Sequence, residues 1–265
     1  MLTSLGLGLA IGIILALTGA GGGILAVPAL VFGVHQSVAQ AGPVGLLAVG
    51  MAAALGALLG LRSGTVRYRA AMLISAAGMV LSPAGLWLAH RIDNHWLTAL
   101  FATVLLFVAY RTWRQASRTE GEVNSVRVEP PCIRDNASGR FVWTSRCARA
   151  LALSGGIAGL LSGLLGVGGG FVMVPALQRY TDLDIKSVVA TSLAVIALVS
   201  ATGVVSSAVA GTLNWPVAIP FSAGALAGML AGRMVAARLA GPHMQKGFAL
   251  VSSLVAIGMI AKVLL

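Results

Sequence analysis

Eight apolar runs fill most of this chain and decide what it can become. They cover residues 2–34, 39–61, 70–89, 97–110, 148–177, 187–210, 217–237 and 248–265. Runs near 20 residues match the hydrocarbon thickness of a bilayer, and soluble domains do not repeat them. Soluble domains are also about a quarter charged, whereas this chain of 265 residues is 9% charged and 58% hydrophobic. The expected class is an all-α polytopic integral membrane protein. A net charge of +11 would suggest nucleic acid in a soluble chain. Here the Arg residues gather between the apolar runs, so the basic charge orients the chain in a lipid bilayer, and no nucleic acid is expected as a partner. The start, Met1-Leu2-Thr3-Ser4, lacks a basic stretch and runs straight into apolar sequence, so no cleaved signal peptide is expected.

Two of the runs carry the same unusual motif. Gly19-Ala20-Gly21-Gly22-Gly23 precedes Ile24-Leu25-Ala26-Val27-Pro28, and Gly166-Val167-Gly168-Gly169-Gly170 precedes Phe171-Val172-Met173-Val174-Pro175. Four glycines in five residues followed by a proline oppose a regular helix. Within hydrocarbon, bare backbone amides cost several kcal/mol each, so a break is tolerated only inside protein or beside a cavity. The motif therefore predicts two deliberate interruptions of the first and fifth segments.

The copies are 147 positions apart, and the same offset aligns the two halves without a gap. It pairs Gly56 with Gly203, Gly64-Thr65 with Gly211-Thr212, Tyr68 with Trp215, Ser75-Ala76 with Ser222-Ala223, Gly85 with Gly232, Arg91 with Arg238, and Phe101-Ala102 with Phe248-Ala249. About a quarter of the positions over about 90 residues agree, which marks an internal duplication. The expected organisation is a first membrane repeat at 1–115, a cytoplasmic Arg-rich linker at 116–147 and a second repeat at 148–265. If all eight segments cross, the 18 Lys and Arg divide 12 to 6 between the two sides. If the first and fifth dip in and return, they divide 16 to 2, which satisfies the positive-inside rule far better. Three crossings per half make the repeats inverted, a common transporter design, with both termini outside. The arms Ser4 to Thr18 and Ile24 to Val34 would span about 22 Å and about 16 Å, each short of a ~30 Å core. Glycines four apart (Gly56, Gly60, Gly64; Gly155, Gly159, Gly163; Gly224, Gly228, Gly232) read as surfaces for close helix packing.

The chemistry available inside the spans favours a negative guest. All seven acids (Asp93, Glu120, Glu122, Glu129, Asp135, Asp182, Asp184) fall outside the apolar runs, while cation carriers and proton pumps usually keep a carboxylate in the membrane. Glycine turns and helix N-termini instead present N–H groups and positive partial charge.

Two Gly-x-Gly-Gly-Gly…Pro copies, each near the start of a four-segment half, resemble the TauE/SafE family of sulfite and organosulfonate exporters. Ala190-Thr191-Ser192-Leu193 resembles a further motif of that family, although the first half has Pro43-Val44-Gly45-Leu46 in its place. The resemblance implies a secondary carrier of small sulfur-containing anions in the bacterial inner membrane. The expected anion contacts are Gly21, Gly22, Gly23, Gly168, Gly169 and Gly170 through their backbone, then Thr191 and Ser192 through hydroxyls. Thr18 is a weaker candidate. Arg233, late in the seventh segment, either supplies a fixed positive charge or snorkels to the interface. Ser192 and Thr191 could instead bond back to a carbonyl one turn earlier. Tyr68 and Trp215 read as interfacial anchors, and His35 and His90 as groups near segment ends.

Several other readings fail. Gly19-x-Gly21-x-x-Ile24 lacks the last glycine of a dinucleotide fingerprint, and no Gly-Lys-Ser/Thr follows it. Asn136-Ala137-Ser138 fits a glycosylation sequon but falls in the linker expected to be cytoplasmic. Cys132 and Cys147 are too few for a metal cage, and in the cytoplasm they should stay reduced. A short strand is expected around residues 141–143. The chain is expected to need no cofactor or metal and not to be an enzyme, and a homodimer is one possible assembly. The competing reading is a membrane-embedded enzyme or assembly factor, which would need a nucleophile with its base, a metal cluster or a cysteine pair within the spans.

Overall fold

The computed structural model describes residues 2–18, 22–117, 131–132, 144–239 and 242–264. Gly21, Asn136 and the strand expected at residues 141–143 lie outside them. The described residues form helices α1 (Leu2–Thr18), α2 (Ala26–Gly33), α3 (Val38–Arg62), α4 (Tyr68–Ala89), α5 (Asn94–Ala116), α6 (Ser145–Leu165), α7 (Gly170–Tyr180), α8 (Ile185–Val209), α9 (Trp215–Leu239) and α10 (Pro242–Leu264). A 3-10 turn, Gly22–Leu25, leads into α2. Six helices (α3, α4, α5, α6, α8, α9) are long and apolar enough to cross a membrane. The chain is an all-α, multi-pass membrane protein.

Local sequence sets many of the helix ends. Ser37 caps α3 in a reciprocal box with Gln40, and Asp184 accepts from the Ser187 amide at the start of α8; each satisfies an amide that has no helical partner. Gly64 and Gly211 both adopt φ of +67°, just past the ends of α3 and α8. After each, a threonine folds back: Thr65 N–H donates to the Gly60 carbonyl (3.1 Å) and Thr212 N–H to the Ser207 carbonyl (3.0 Å). Gly64 is therefore a turn residue with open space around it, not the third rung of a packing ladder. The prolines correct the sequence reading as well. Pro28 is the third residue of α2, where an amide has no helical acceptor to lose, and α7 continues through Pro175.

At the first and fifth runs the chain enters the bundle and turns back. After α1, Gly22 returns to the backbone of Ile14 and Leu15, and Gly33 reaches Leu7. After α6, Gly169 returns to the Ala158 carbonyl. At the end of α7, Thr181 bridges to Cys132, which is disulfide-bonded to Cys147 in the first turn of α6. So α7 finishes where α6 began. That disulfide corrects the expectation of two reduced thiols. At 21 residues α6 measures about 31 Å, longer than the half-span expected of it.

Glycines let these hairpins pack backbone to backbone. A Cβ on Gly8 or Gly12 would collide with the Phe221 or Ala225 carbonyl of α9. A Cβ on Gly155 or Gly159 would collide with the Ile74 or Gly78 carbonyl of α4. Hence α1 runs along α9, and α6 along α4, in both cases in the same direction. At the centre α3 and α8 cross antiparallel, since Gly60 meets Ala190, Gly56 meets Leu193, Gly50 meets Ser200 and Gly203 meets Leu46. In hydrocarbon, where apolar side chains gain little by leaving lipid, such small-residue contacts hold helices together. Connected in order, the helices put Leu2, the α2–α3 link and the α4–α5 link at one end. The α3–α4 link, the Cys132–Cys147 bond and the α7–α8 link lie at the other.

Candidate functional site

The two glycine turns meet near the middle of the bundle. A Cβ on Gly23 would lie 3.0 Å from the Val167 carbonyl oxygen and 3.1 Å from Val49 Cγ1. One on Gly168 would lie 2.9 Å from Ile196 Cγ2, 3.1 Å from Ser200 Oγ and 3.4 Å from Val49 Cγ1. Val49, halfway along α3, thus touches both turns. Gly22, Gly23, Gly168, Gly169 and Gly170 are all buried.

The second turn is built by backbone that only glycine adopts readily. Gly166, Gly168 and Gly169 have φ of +70°, +74° and +67°, the left-handed region that penalises a Cβ. Gly169 is the N-cap of α7 and supplies no side-chain acceptor. At the start of α7 the Gly169 carbonyl takes the Val172 and Met173 amides at 3.1 and 3.2 Å, which leaves the Gly170 and Phe171 amides at a buried helix start with no helical carbonyl to take them. The first turn is tied differently. Gly22 N–H donates to Thr18 Oγ1 (2.9 Å), and the Thr18 hydroxyl donates to the Ile14 carbonyl (2.7 Å). Thr18 stands at the turn as a cap.

The remaining expected residues are placed apart from this meeting point. Thr191 is fully buried, and its hydroxyl oxygen accepts from the Arg67 amide at 3.1 Å, fixing the α3–α4 link. Ser192 donates back to the Val189 carbonyl at 2.8 Å. The residues of α8 that face the turns are Ile196 and Ser200, one and two turns further on. Arg233 is exposed. His90 ends α4 with Nδ1 2.8 Å from the Leu86 carbonyl oxygen, and His35 is exposed at the α2–α3 link. Tyr68 and Trp215 begin α4 and α9 and are both exposed.

Sequence reasoning missed the hydroxyls that matter most here. Ser82, Ser162 and Ser200 are fully buried, and none of their Oγ atoms has a hydrogen-bond partner. Ser200 stands against Gly168, and Ser82 Oγ lies 3.6 Å from the Cβ position of Gly203. A signal was available for two of them: at the 147 offset Ser200 replaces Ala53 and Ser162 replaces Leu15, so the second half turns polar where the first is apolar. Arg67 was missed as well. Its Nε is enclosed without a partner, while its counterpart is Asn214.

Residues 4–259 match the family described as sulfite exporter TauE/SafE. The chain belongs to the TauE/SafE family. Among its relatives, the probable membrane transporter protein YunE of Bacillus subtilis is 27% identical over 227 residues, covering 83% of this chain and 82% of that protein. A probable membrane transporter protein of Xylella fastidiosa is 27% identical over 247 residues, covering 90% and 86%. One of Methanocaldococcus jannaschii is 28% identical over 211 residues, covering 77% and 71%. No solved structure matches this TauE/SafE member.

Proposed function

We infer that this TauE/SafE member is a secondary transporter of a small anion, sulfite or an organosulfonate, and that the anion binds where the two glycine turns meet. One observation carries the reading: the buried start of α7 has no side-chain cap and adjoins the unpartnered Ser200 hydroxyl. Uncapped amides and an orphan hydroxyl are costly in a membrane interior. An anion accepting from them offsets that cost and is favoured by the helix dipole. Gly22, Gly23 and Gly168 to Gly170 supply backbone contact, with Ser200 beside them in place of Thr191, Ser192 or Arg233.

The two halves act as inverted repeats. In support, Gly8 meets Phe221 as Gly155 meets Ile74, and Gly12 meets Ala225 as Gly159 meets Gly78; both pairs of contacts exchange under the 147 offset. Inverted repeats with discontinuous helices at their interface suit alternating access. The end of the bundle that holds the Cys132–Cys147 bond faces the cytoplasm of a bacterial inner membrane, because 12 of the 14 Lys and Arg among the described residues fall toward it. Thermal-shift screening of the purified protein against sulfite, sulfate, thiosulfate, acetate and sulfonates tests the site. Stabilisation by one of these anions is expected. Stabilisation by cations alone overturns the anion assignment.

A further inference from the structure

A second polar pocket lies well away from the glycine turns. At the end of the bundle that holds Leu2, a cavity of about 350 Å³ opens between the α2–α3 link and the start of α5. Gln36 and Thr98 lie in its buried wall, and His35, Ser37, Asn94 and His95 form its rim.

Gln36 is the feature that calls for a ligand. It is 7% exposed, and its Oε1 has no hydrogen-bond partner. Left alone, a buried amide oxygen bears its desolvation cost with nothing to offset it. The chain goes out of its way to put it there: His35, just before it, has φ of +55°, the one non-glycine among the described residues with positive φ. That left-handed residue stops α2 and directs the next side chain inward.

Around this acceptor the other groups are mostly donors. Two helices begin at the cavity, α3 at Val38 and α5 at Asn94; the Val38 and Gln40 amides of α3 are taken by Asn94 Oδ1 and Ser37 Oγ, so this helix start adds positive partial charge more than free donors. Asn94 Oδ1 accepts from the Val38 amide at 3.1 Å, so its Nδ2 is left to donate. The imidazoles of His35 and His95 and the Ser37 hydroxyl add further N–H and O–H groups. Thr98 spends its proton on the Asn94 carbonyl at 2.6 Å and leaves an oxygen lone pair. Among the described residues the lining holds no carboxylate.

A ligand that satisfies this wall needs several acceptor oxygens and one proton of its own. A fully deprotonated oxyanion would meet the donors but set a bare oxygen against Gln36 Oε1. We propose that the cavity is a binding site for a small oxyanion that still carries an O–H, with Gln36 accepting that proton's hydrogen bond. The site is separate from the glycine turns and does not depend on the reading given for them.

Monohydrogen phosphate and sulfate are the probes, because they share shape and charge while only phosphate keeps a proton near neutral pH. Titration calorimetry of the full chain in lipid nanodiscs should show phosphate binding about tenfold or more tighter than sulfate, one charge-assisted hydrogen bond's worth. Q36M keeps the bulk and removes the acceptor; it should erase the preference with the unliganded unfolding temperature unchanged. N94A should weaken both anions alike. Equal binding of the two anions by the wild type, no binding of either, or a preference that survives Q36M overturns the proposal. If Q36M does not fold, Q36E decides: its carboxylate should abolish binding of both anions, and retention overturns the proposal.

Discussion

Gly23 stands with its α-carbon against the carbonyl of Val167, at a distance that leaves a Cβ only 3.0 Å from the oxygen. The residues belong to different halves of the chain, yet each is part of a glycine turn, and Val49 packs on both turns. A bulkier residue in either turn pushes directly on the other. Close approach, more than loose backbone, explains why glycine is needed on the first turn, since Gly23 has no positive φ while Gly168 does.

Gly168→Ala combines two costs. It puts a Cβ on backbone at φ +74° and within 2.9 Å of Ile196 Cγ2. The strained φ alone costs about 1–2 kcal/mol, and crowding adds to it. A lower unfolding temperature and loss of anion flux into proteoliposomes are expected together. Ser200→Ala should separate them. It removes a buried hydroxyl that has no partner, so stability should hold or rise slightly. Half-saturation for the transported anion should rise about tenfold, the worth of one hydrogen bond to a charge. An unchanged half-saturation would remove Ser200 from the site.

Equivalent glycines should fail equally. Gly12→Leu in α1 drives a side chain into the Ala225 carbonyl, and Gly159→Leu in α6 drives one into the Gly78 carbonyl. Neither backbone can move without separating two long helices. Each variant should lose more than about 3 kcal/mol, the range of severe overpacking, and express poorly. Gly6→Leu is the control, because nothing lies within 4 Å of its Cβ position, and it should express as the wild type does. A large difference between Gly12→Leu and Gly159→Leu would count against the pseudo-symmetry of the halves.

The apolar runs and the absence of acids from them were enough to read the class, because bilayer thickness and charge burial act on composition alone. The caps follow local rules as well, Ser37-x-x-Gln40 and the glycines at 64 and 211, yet the sequence reading passed over the first and took Gly64 for a packing residue, because glycines four apart fit both a ladder and a helix end. What the sequence did not disclose depends on which side of a helix faces which neighbour. Thr191 and Ser200 lie on one helix, α8, and both are fully buried; only packing tells that Thr191 holds a loop amide while Ser200 meets Gly168. Pro175 misled for a related reason. A proline next to a glycine cluster signals a break, but the turn is completed before it and α7 runs on to Tyr180.

Thr191→Val is expected to be a stability variant. It removes the acceptor for the Arg67 amide and leaves that part-buried N–H unpaired, at a cost of about 1–3 kcal/mol. The unfolding temperature should fall while the half-saturation of the surviving protein stays at the wild-type value. A change in anion affinity with no change in stability would return Thr191 to the binding site.

The Cys132–Cys147 bond closes a loop of 15 residues at the end of the bundle that also holds Arg62, Arg146, Arg149 and Arg179. The orientation proposed above from the positive-inside rule puts that end in the cytoplasm, where reductants normally keep thiols apart. Both sulfur-bearing residues are 0% exposed, and the Cys132 amide and carbonyl are bonded to Tyr180 and Asp182, so the bond is shielded. Cells alkylated before lysis should therefore yield protein whose two thiols are protected until it is unfolded with a reductant. Loss of the cross-link in Cys132→Ala, Cys147→Ala should cost about 3 kcal/mol for a loop of this length, seen as a lower unfolding temperature. In that cysteine-free background, Ser63→Cys should react only with reagents that enter the cytoplasm, and Asp93→Cys with impermeant reagents added outside. The reverse pattern would invert the orientation, and the disulfide would then sit on the oxidising side.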